Sequence, residues 1–190
     1  LRSLVGSEMC IRDSFMALKT IFLDRDGVIN KEVNYLHTIE NFKFIDGVFN
    51  ACRYFQLLGY EIVIISNQSG ISRGYFNDKD YQILTKWMLE QFQLNSVKIL
   101  DVLYCPHGPK SNCECRKPKP GMILKAKYDY NIDLSNSWLI GDKESDIKAA
   151  IAGKIKNTIL VRSGHKINES TSSARFIIDS INQSSKVIVS

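Results

Sequence analysis

Four short stretches carry side chains suited to phosphate chemistry. In Asp24-Arg25-Asp26-Gly27 two carboxylates stand two residues apart, so on an extended segment both point to the same side. Such a pair repels itself and favours a bound cation. An all-oxygen site selects Mg²⁺, which keeps several waters and takes one or two carboxylates together with phosphate. One acid can attack phosphorus and form an aspartyl phosphate, while the other protonates the leaving alkoxide and then activates water. Gly27 lets the chain turn tightly beneath the phosphate. Taken alone, Asp-x-Asp-Gly is equally a strand-end turn with solvated acids. In Ser66-Asn67-Gln68-Ser69-Gly70, a hydroxyl, an amide and backbone donors suit a phosphoryl oxygen, although each is also an ordinary turn residue. In Gly141-Asp142-Lys143-Glu144-Ser145-Asp146, Asp142 is placed to complete the Mg²⁺ site, and Asp146 supports the loop or caps a helix. By itself this motif reads first as a capped helix. Lys117 is suited to stabilise transition-state charge, though a lone surface lysine is usually only solvated.

The stretch Cys105-x-His107-x₅-Cys113-x-Cys115 offers three thiolates and one imidazole. Four protein ligands make a closed tetrahedral set, which fits structural Zn²⁺ and leaves no open position for catalysis. The bland alternative is four incidental residues in a proline-rich loop. From Pro106 to Gly121 the chain has little to fold around, and loops longer than about 12–15 residues are usually functional or disordered. Arg116 and Lys117 directly follow the last ligand, so zinc is expected to position these two cations for phosphate without taking part in the chemistry.

The elements that must hold these stretches can be read from hydrophobic periodicity. Short apolar runs (KTIFLD, EIVIIS, DVLYC, SWLIG, NTILV and RFIID) read as buried strands. Between them, GVFNACRYFQLLGY, NDKDYQILTKWMLEQFQL, PGMILKAKYDYNI and ESDIKAAIAG carry helical spacing. Gly59 and Gly153 act as stops, and an Asn or Asp caps the second helix. Strands alternating with helices predict a parallel α/β sheet. In such sheets ligands bind beyond the carboxyl ends of the strands. Each chemically equipped stretch directly follows one of the first four strands. Trp87, Trp138 and the thiol of Cys52 read as core, His37 and His165 as surface or locally hydrogen-bonded histidines, and the tail from Asn182 as uninformative.

The chain has 190 residues, is 44% hydrophobic and carries a net charge of +5, which suits one globular domain and fits an anionic ligand without requiring one. No apolar run approaches the ~18 residues of a membrane span. The five cysteines, three of them clustered beside a histidine, favour metal binding over a disulfide framework and a reducing, cytoplasmic compartment. Residues 1–15 fit poorly with the rest of the chain and are expected to be a non-native or disordered leader, with a single domain over residues 16–190.

FLDRDGVIN, IISNQSG, CRKPKPGM and LIGDKESD, in this order, resemble the motifs of the haloacid dehalogenase (HAD) superfamily of phosphotransferases. With NYLHTIENFKFIDGV and the cysteine loop added, the chain is similar to its histidinol-phosphate phosphatase-like subfamily. The resemblance implies a Rossmann-like three-layer fold with a mainly parallel central sheet, a zinc-stapled loop and no cap domain. The spacing allows this, since neither the gap before Gly47 nor the one after SNQSG has room for a cap. It also implies a Mg²⁺-dependent phosphatase of a small heptose bisphosphate, working through an aspartyl phosphate in nucleotide-activated heptose (lipopolysaccharide core) biosynthesis. Asp24 would be the nucleophile and Asp26 the general acid/base. Asp24, the Asp26 carbonyl and Asp142 would hold Mg²⁺ with Lys143 alongside, and Ser66 and Lys117 would stabilise the phosphoryl group. Arg116 and Lys117, together with Glu32, Val33, Asn34 and Tyr35 and with Ser66, Asn67, Gln68 and Ser69, would bind substrate. Cys105, His107, Cys113 and Cys115 would bind Zn²⁺.

A histidinol-phosphate phosphatase shares the DRDG and zinc-loop features and is the alternative enzyme. A zinc-dependent nucleic-acid-binding module, or a nucleic-acid 3′-phosphatase, is the alternative of another class. The KPKPG patch lacks interleaved aromatics or a second basic cluster, so no nucleic-acid or membrane partner is expected, and the chain is expected to be a monomer.

Overall fold

The computed structural model describes residues 17–189. The leader assigned to residues 1–15 lies outside them. Six strands form one sheet: β1 (Thr20–Leu23), β2 (Glu61–Asn67), β3 (Asp101–Cys105), β4 (Trp138–Gly141), β5 (Asn157–Val161) and β6 (Phe176–Ile178). They lie in the order β3-β2-β1-β4-β5-β6, and every pairing is parallel. The helices are α1 (Val48–Leu57), α2 (Asp78–Leu94), α3 (Gly121–Tyr130) and α4 (Glu144–Ala152).

The helices form because their apolar residues fall on one stripe. In α1 the buried residues are Val48, Ala51, Cys52 and Phe55, the i, i+3, i+4, i+7 set of a core-facing helix. Its exit turns at Gly59, whose φ of 77° belongs to the left-handed region that glycine tolerates. In α2 the side chain of Asn77 accepts from the Asp80 N–H while Asp80 accepts from the Asn77 N–H, a reciprocal capping box.

Alternation along the strands divides the core. Ile21, Leu23, Ile62 and Ile64 pack toward Phe55, Leu84, Met88 and Phe92 of α1 and α2. Phe22, Val63, Ile65 and Leu139 pack toward Met122, Ile123, Ile147 and Ala150 of α3 and α4. The result is a three-layer sandwich with a doubly covered parallel sheet, the arrangement that explains why its strands are continuously apolar. The tail, which carries no readable pattern, proves to seal the first face: Ile181 and Ile188 are fully buried there, and the Tyr54 hydroxyl donates to the Ile188 carbonyl. Trp87 and Trp138 are only partly buried at the margins of that core. Neither residues 24–47 nor residues 68–77 hold a helix or strand of their own.

From β1 the chain moves outward through β2 and β3, then returns to place β4 on the other side of β1. The strand order therefore reverses beside β1, the position where open α/β sheets bind ligands. Asp24 follows β1 and Asp142 follows β4 at this point.

Candidate active site

A cavity of about 240 Å³ opens at the carboxyl ends of the strands. Asp24 and Asp26 line it from the β1 loop, Glu32 to Leu36 from farther along that loop, Ser66 to Gly70 from β2, and Lys117 from the β3 loop. Lys143, Ser145, Asp146 and His165 complete it. The expected acids Asp24 and Asp26, the residues Glu32, Val33, Asn34 and Tyr35, the phosphate-loop residues and Lys117 are thus brought together, while Asp142 is fully buried and does not line the cavity.

Lys117 is the centre of charge. Its ammonium lies 2.9 Å from Asp24 Oδ1 and 2.8 Å from Asp146 Oδ1, and donates to the Ile65 carbonyl at 2.9 Å. Three partners account for the three protons of an ammonium. Burial pulls the lysine toward the neutral form, but Asp146 and Asp24 overcome it and hold the ammonium firmly protonated. Its backbone is held as well: the Asn67 side chain accepts from the Lys117 N–H and donates to the Lys117 carbonyl, both at 3.1 Å.

Asp24 receives the Arg25 N–H and Lys117 on the same oxygen, Oδ1, which leaves Oδ2 without a protein donor among the described residues. Burial raises its pKa well above the usual carboxylate range. Lys117 opposes the rise, while Asp146, Asp142 and Asp26 add to it. Asp26 has the opposite balance. Burial disfavours its charge, but Arg25 and hydrogen bonds from Arg25, Asn30 and Gln68 prevail and lower its pKa. Arg25, only 1% exposed, also donates to the Leu36 carbonyl and lies over the Tyr81 ring. Gln68 joins the two loops by donating to Asp26 and, at 2.7 Å, to the Ser66 hydroxyl.

Asp142 is fully buried, and its Oδ1 has no partner among the described residues. Carboxylate oxygens of Asp24, Asp142 and Asp146 lie within 4.8 Å of one another. Three crowded acids with one lysine, a raised Asp24 and an orphaned oxygen are a donor set for a hard divalent cation. Asp146 is committed elsewhere: besides Lys117, it accepts the Lys143 N–H at the start of α4. That is the supporting and capping role its position suggested.

The cysteine loop is a second cluster. The ligand atoms of Cys105, His107, Cys113 and Cys115 lie within 4.8 Å of one another. Cys105 Sγ is 3.1 Å from Cys115 Sγ, 3.7 Å from Cys113 Sγ and 3.5 Å from His107 Nδ1, and that nitrogen is 3.3 Å from Cys115 Sγ. A tetrahedron of Zn–S bonds of about 2.3 Å has edges of about 3.8 Å, somewhat less where nitrogen replaces sulfur. The donors fit a zinc ion.

Two placements add to the sequence reading. Arg116 does not line the cavity; its guanidinium donates to the His107 carbonyl and so braces the cysteine loop. His165, read as a surface or locally hydrogen-bonded histidine, is hydrogen-bonded, with its Nδ1 2.6 Å from Asp142 Oδ2, and it also lines the cavity. Its only sequence signal is a position four residues beyond a strand, as the other site residues also come after strands. Arg25, silent within DRDG, proves to be the buried clamp on Asp26.

An open parallel sheet with paired carboxylates and a buried lysine at its switch point defines a phosphatase of the HAD-like class. The family model described as HAD-hyrolase-like matches residues 114–184. A Photorhabdus laumondii protein named D-glycero-alpha-D-manno-heptose-1,7-bisphosphate 7-phosphatase is 48% identical over 164 residues, covering 83% of this chain and 90% of its own. A Haemophilus influenzae protein, named for the beta anomer, is 44% identical over 86% of this chain and 92% of its own. The crystal structure of D,D-heptose 1,7-bisphosphate phosphatase from B. bronchiseptica, complexed with magnesium and phosphate, superposes with a TM-score of 0.76 at 26% identity. It covers 87% of this chain and 94% of that one. The chain belongs to the heptose-bisphosphate phosphatase family of the HAD-like hydrolases.

Proposed function

We propose that the protein hydrolyses the 7-phosphate of D-glycero-D-manno-heptose 1,7-bisphosphate through an aspartyl phosphate on Asp24, in the cytoplasmic supply of activated heptose. The observation that carries this is the meeting of Asp24 and Lys117 in a cavity walled by Glu32–Leu36 and Ser66–Gly70, with the buried Asp142 carboxylate within 4.8 Å of Asp24. Asp24 and Asp142 would hold Mg²⁺, with the Asp26 carbonyl and with Lys143 alongside. Bound there, Mg²⁺ supplies Lewis-acid charge to the phosphoryl oxygens and lets Asp24 stand ionised.

The protein's own groups account for the remaining steps. Asp24 Oδ2, the oxygen without a protein donor among the described residues, attacks phosphorus while Lys117 holds Oδ1 in place. Lys117 and the Ser66 hydroxyl stabilise the charge that develops on the transferring group. Asp26, aligned by Arg25, Asn30 and Gln68, manages the proton. Its lowered pKa keeps it ionised in the free enzyme, which suits it to activate water against the aspartyl phosphate. In the first step the proton for the leaving alkoxide enters with the substrate phosphate and passes through Asp26. Zn²⁺ held by Cys105, His107, Cys113 and Cys115 would order the loop that carries Lys117.

The two relatives bear names of opposite anomers, so the test compares both. Phosphate release is measured from the alpha and beta bisphosphates and from histidinol phosphate, with wild type and Asp24→Asn side by side. Release from a heptose bisphosphate by wild type alone is expected. Equal activity of the two proteins removes Asp24 as nucleophile, and faster turnover of histidinol phosphate replaces the substrate.

A further inference from the structure

We infer that His165 is a positioning residue that presets the metal-binding oxygen of Asp142, with Ser163 and Gly164 as its mount. The inference rests on Asp142 being a metal ligand, as proposed for this site.

The residues after β5 wrap the buried carboxylate. The Ser163 hydroxyl donates to the Gly27 carbonyl at 2.7 Å and ties this turn to the β1 loop. At Gly164 a Cβ would lie 2.2 Å from Asp142 Oδ2, and at Gly27 2.5 Å from the same oxygen, so only glycine backbone lets both loops close over it. His165 then uses two donors on that one atom: its backbone N–H at 2.9 Å and its ring Nδ1 at 2.6 Å. The ring nitrogen facing a carboxylate carries the proton, which fixes the tautomer. Oδ2 is thereby saturated and the carboxylate cannot rotate. Oδ1 is left buried and unpartnered among the described residues, on a carboxylate that lies within 4.8 Å of those of Asp24 and Asp146.

His165 also faces Glu32, whose Oε2 is 3.7 Å from Nδ1 and has no hydrogen-bond partner among the described residues. Glu32 belongs to the cavity wall, so the same ring touches both the wall and the metal ligand. Partners that orient a metal ligand in this way typically govern metal affinity by about 10–100-fold.

The test measures Mg²⁺ and Mn²⁺ binding, by calorimetry and by the rise of melting temperature with metal concentration, on the full chain with its cysteine loop loaded. His165→Ala, His165→Asn and Asp142→Ala are compared with wild type. His165→Ala is expected to weaken Mg²⁺ by about tenfold, the low end because the backbone N–H remains, and the amide donor of His165→Asn to restore most of it. In turnover, the loss should appear in the Mg²⁺ dependence and not in the KM for substrate. Unchanged Mg²⁺ affinity in His165→Ala, or a raised KM with unchanged affinity, overturns the inference. If Asp142→Ala binds Mg²⁺ as wild type does, it is the metal reading itself that falls.

Discussion

The two ligand clusters of this protein lie at the ends of strands in one sheet and are finished to different degrees. The cysteine loop supplies four donors from within eleven residues, all turned toward one point, with every tetrahedral position filled by protein. The carboxylate corner draws Asp24 and Asp142 from strands far apart in sequence, leaves Asp142 Oδ1 without a partner and opens onto a cavity. A closed set resists exchange and suits a structural ion, whereas an incomplete one keeps positions for water and phosphate. The two are linked mechanically. Gln68 N–H donates to the carbonyl of Cys105, and Asn67 grips the backbone of Lys117, two residues past Cys115. On the proposed function one cluster shapes and the other reacts, with Asn67 between them.

Several measurements press on that contrast. Asp24→Asn should lower phosphate release by about 10⁴-fold or more, the scale of losing a nucleophile, while zinc content measured by metal analysis stays unchanged. Zinc loss in this variant would mean the clusters are not separable. Cys115→Ser, or zinc extraction by a chelator, should lower the melting temperature and cut kcat by about 10²-fold through misplacement of Lys117. Full activity in the stripped protein would reduce the loop to decoration. Asn67→Ala removes two hydrogen bonds to Lys117 and should cost about 1–3 kcal/mol in urea unfolding, with roughly tenfold lower kcat and both metals retained. A smaller loss than that of a surface control would break the link.

The smallest effect is in pH. Asp24 binds a proton more readily in the folded, Mg²⁺-free protein than in the unfolded chain, so its contribution to stability grows as pH falls through its raised folded value toward the ordinary 3.8. Mg²⁺ should abolish that gain. Asp26 acts in reverse: its contribution is complete above the ordinary 3.8 and is lost as pH falls through its lowered folded value. Melting curves across pH, with and without Mg²⁺, read both. An acid-side gain that survives saturating Mg²⁺ would place Asp24 outside the metal site.

Much of this was legible because the relevant residues are local to strand ends. β1, β2, β3 and β4 are largely apolar runs, and the acids, Ser66 and Cys105 come at or just beyond their ends. The cluster of three cysteines and a histidine is readable from spacing alone. His165 was not legible, since 23 residues separate it from Asp142 and only the pairing of β4 with β5 brings their loops together. Arg116, whose substrate role came from the family resemblance, donates its guanidinium to the His107 carbonyl, a contact that its place beside Lys117 did not make readable. The tail had no periodicity to read, because it packs as a short 3-10 turn against α1 and not as a regular element.

The sequence alone determined which chemistry is available: two acids at the end of one strand, a third after another, a lysine, and four soft donors spaced for one ion. Charge and ligand type are properties of side chains and need no fold to be read. Only the tertiary structure decided which of these groups are free to act. Burial and pairing raise Asp24 and lower Asp26, saturate Lys117 and leave a single oxygen of Asp142 unpartnered, because those quantities depend on what surrounds a group once water is excluded.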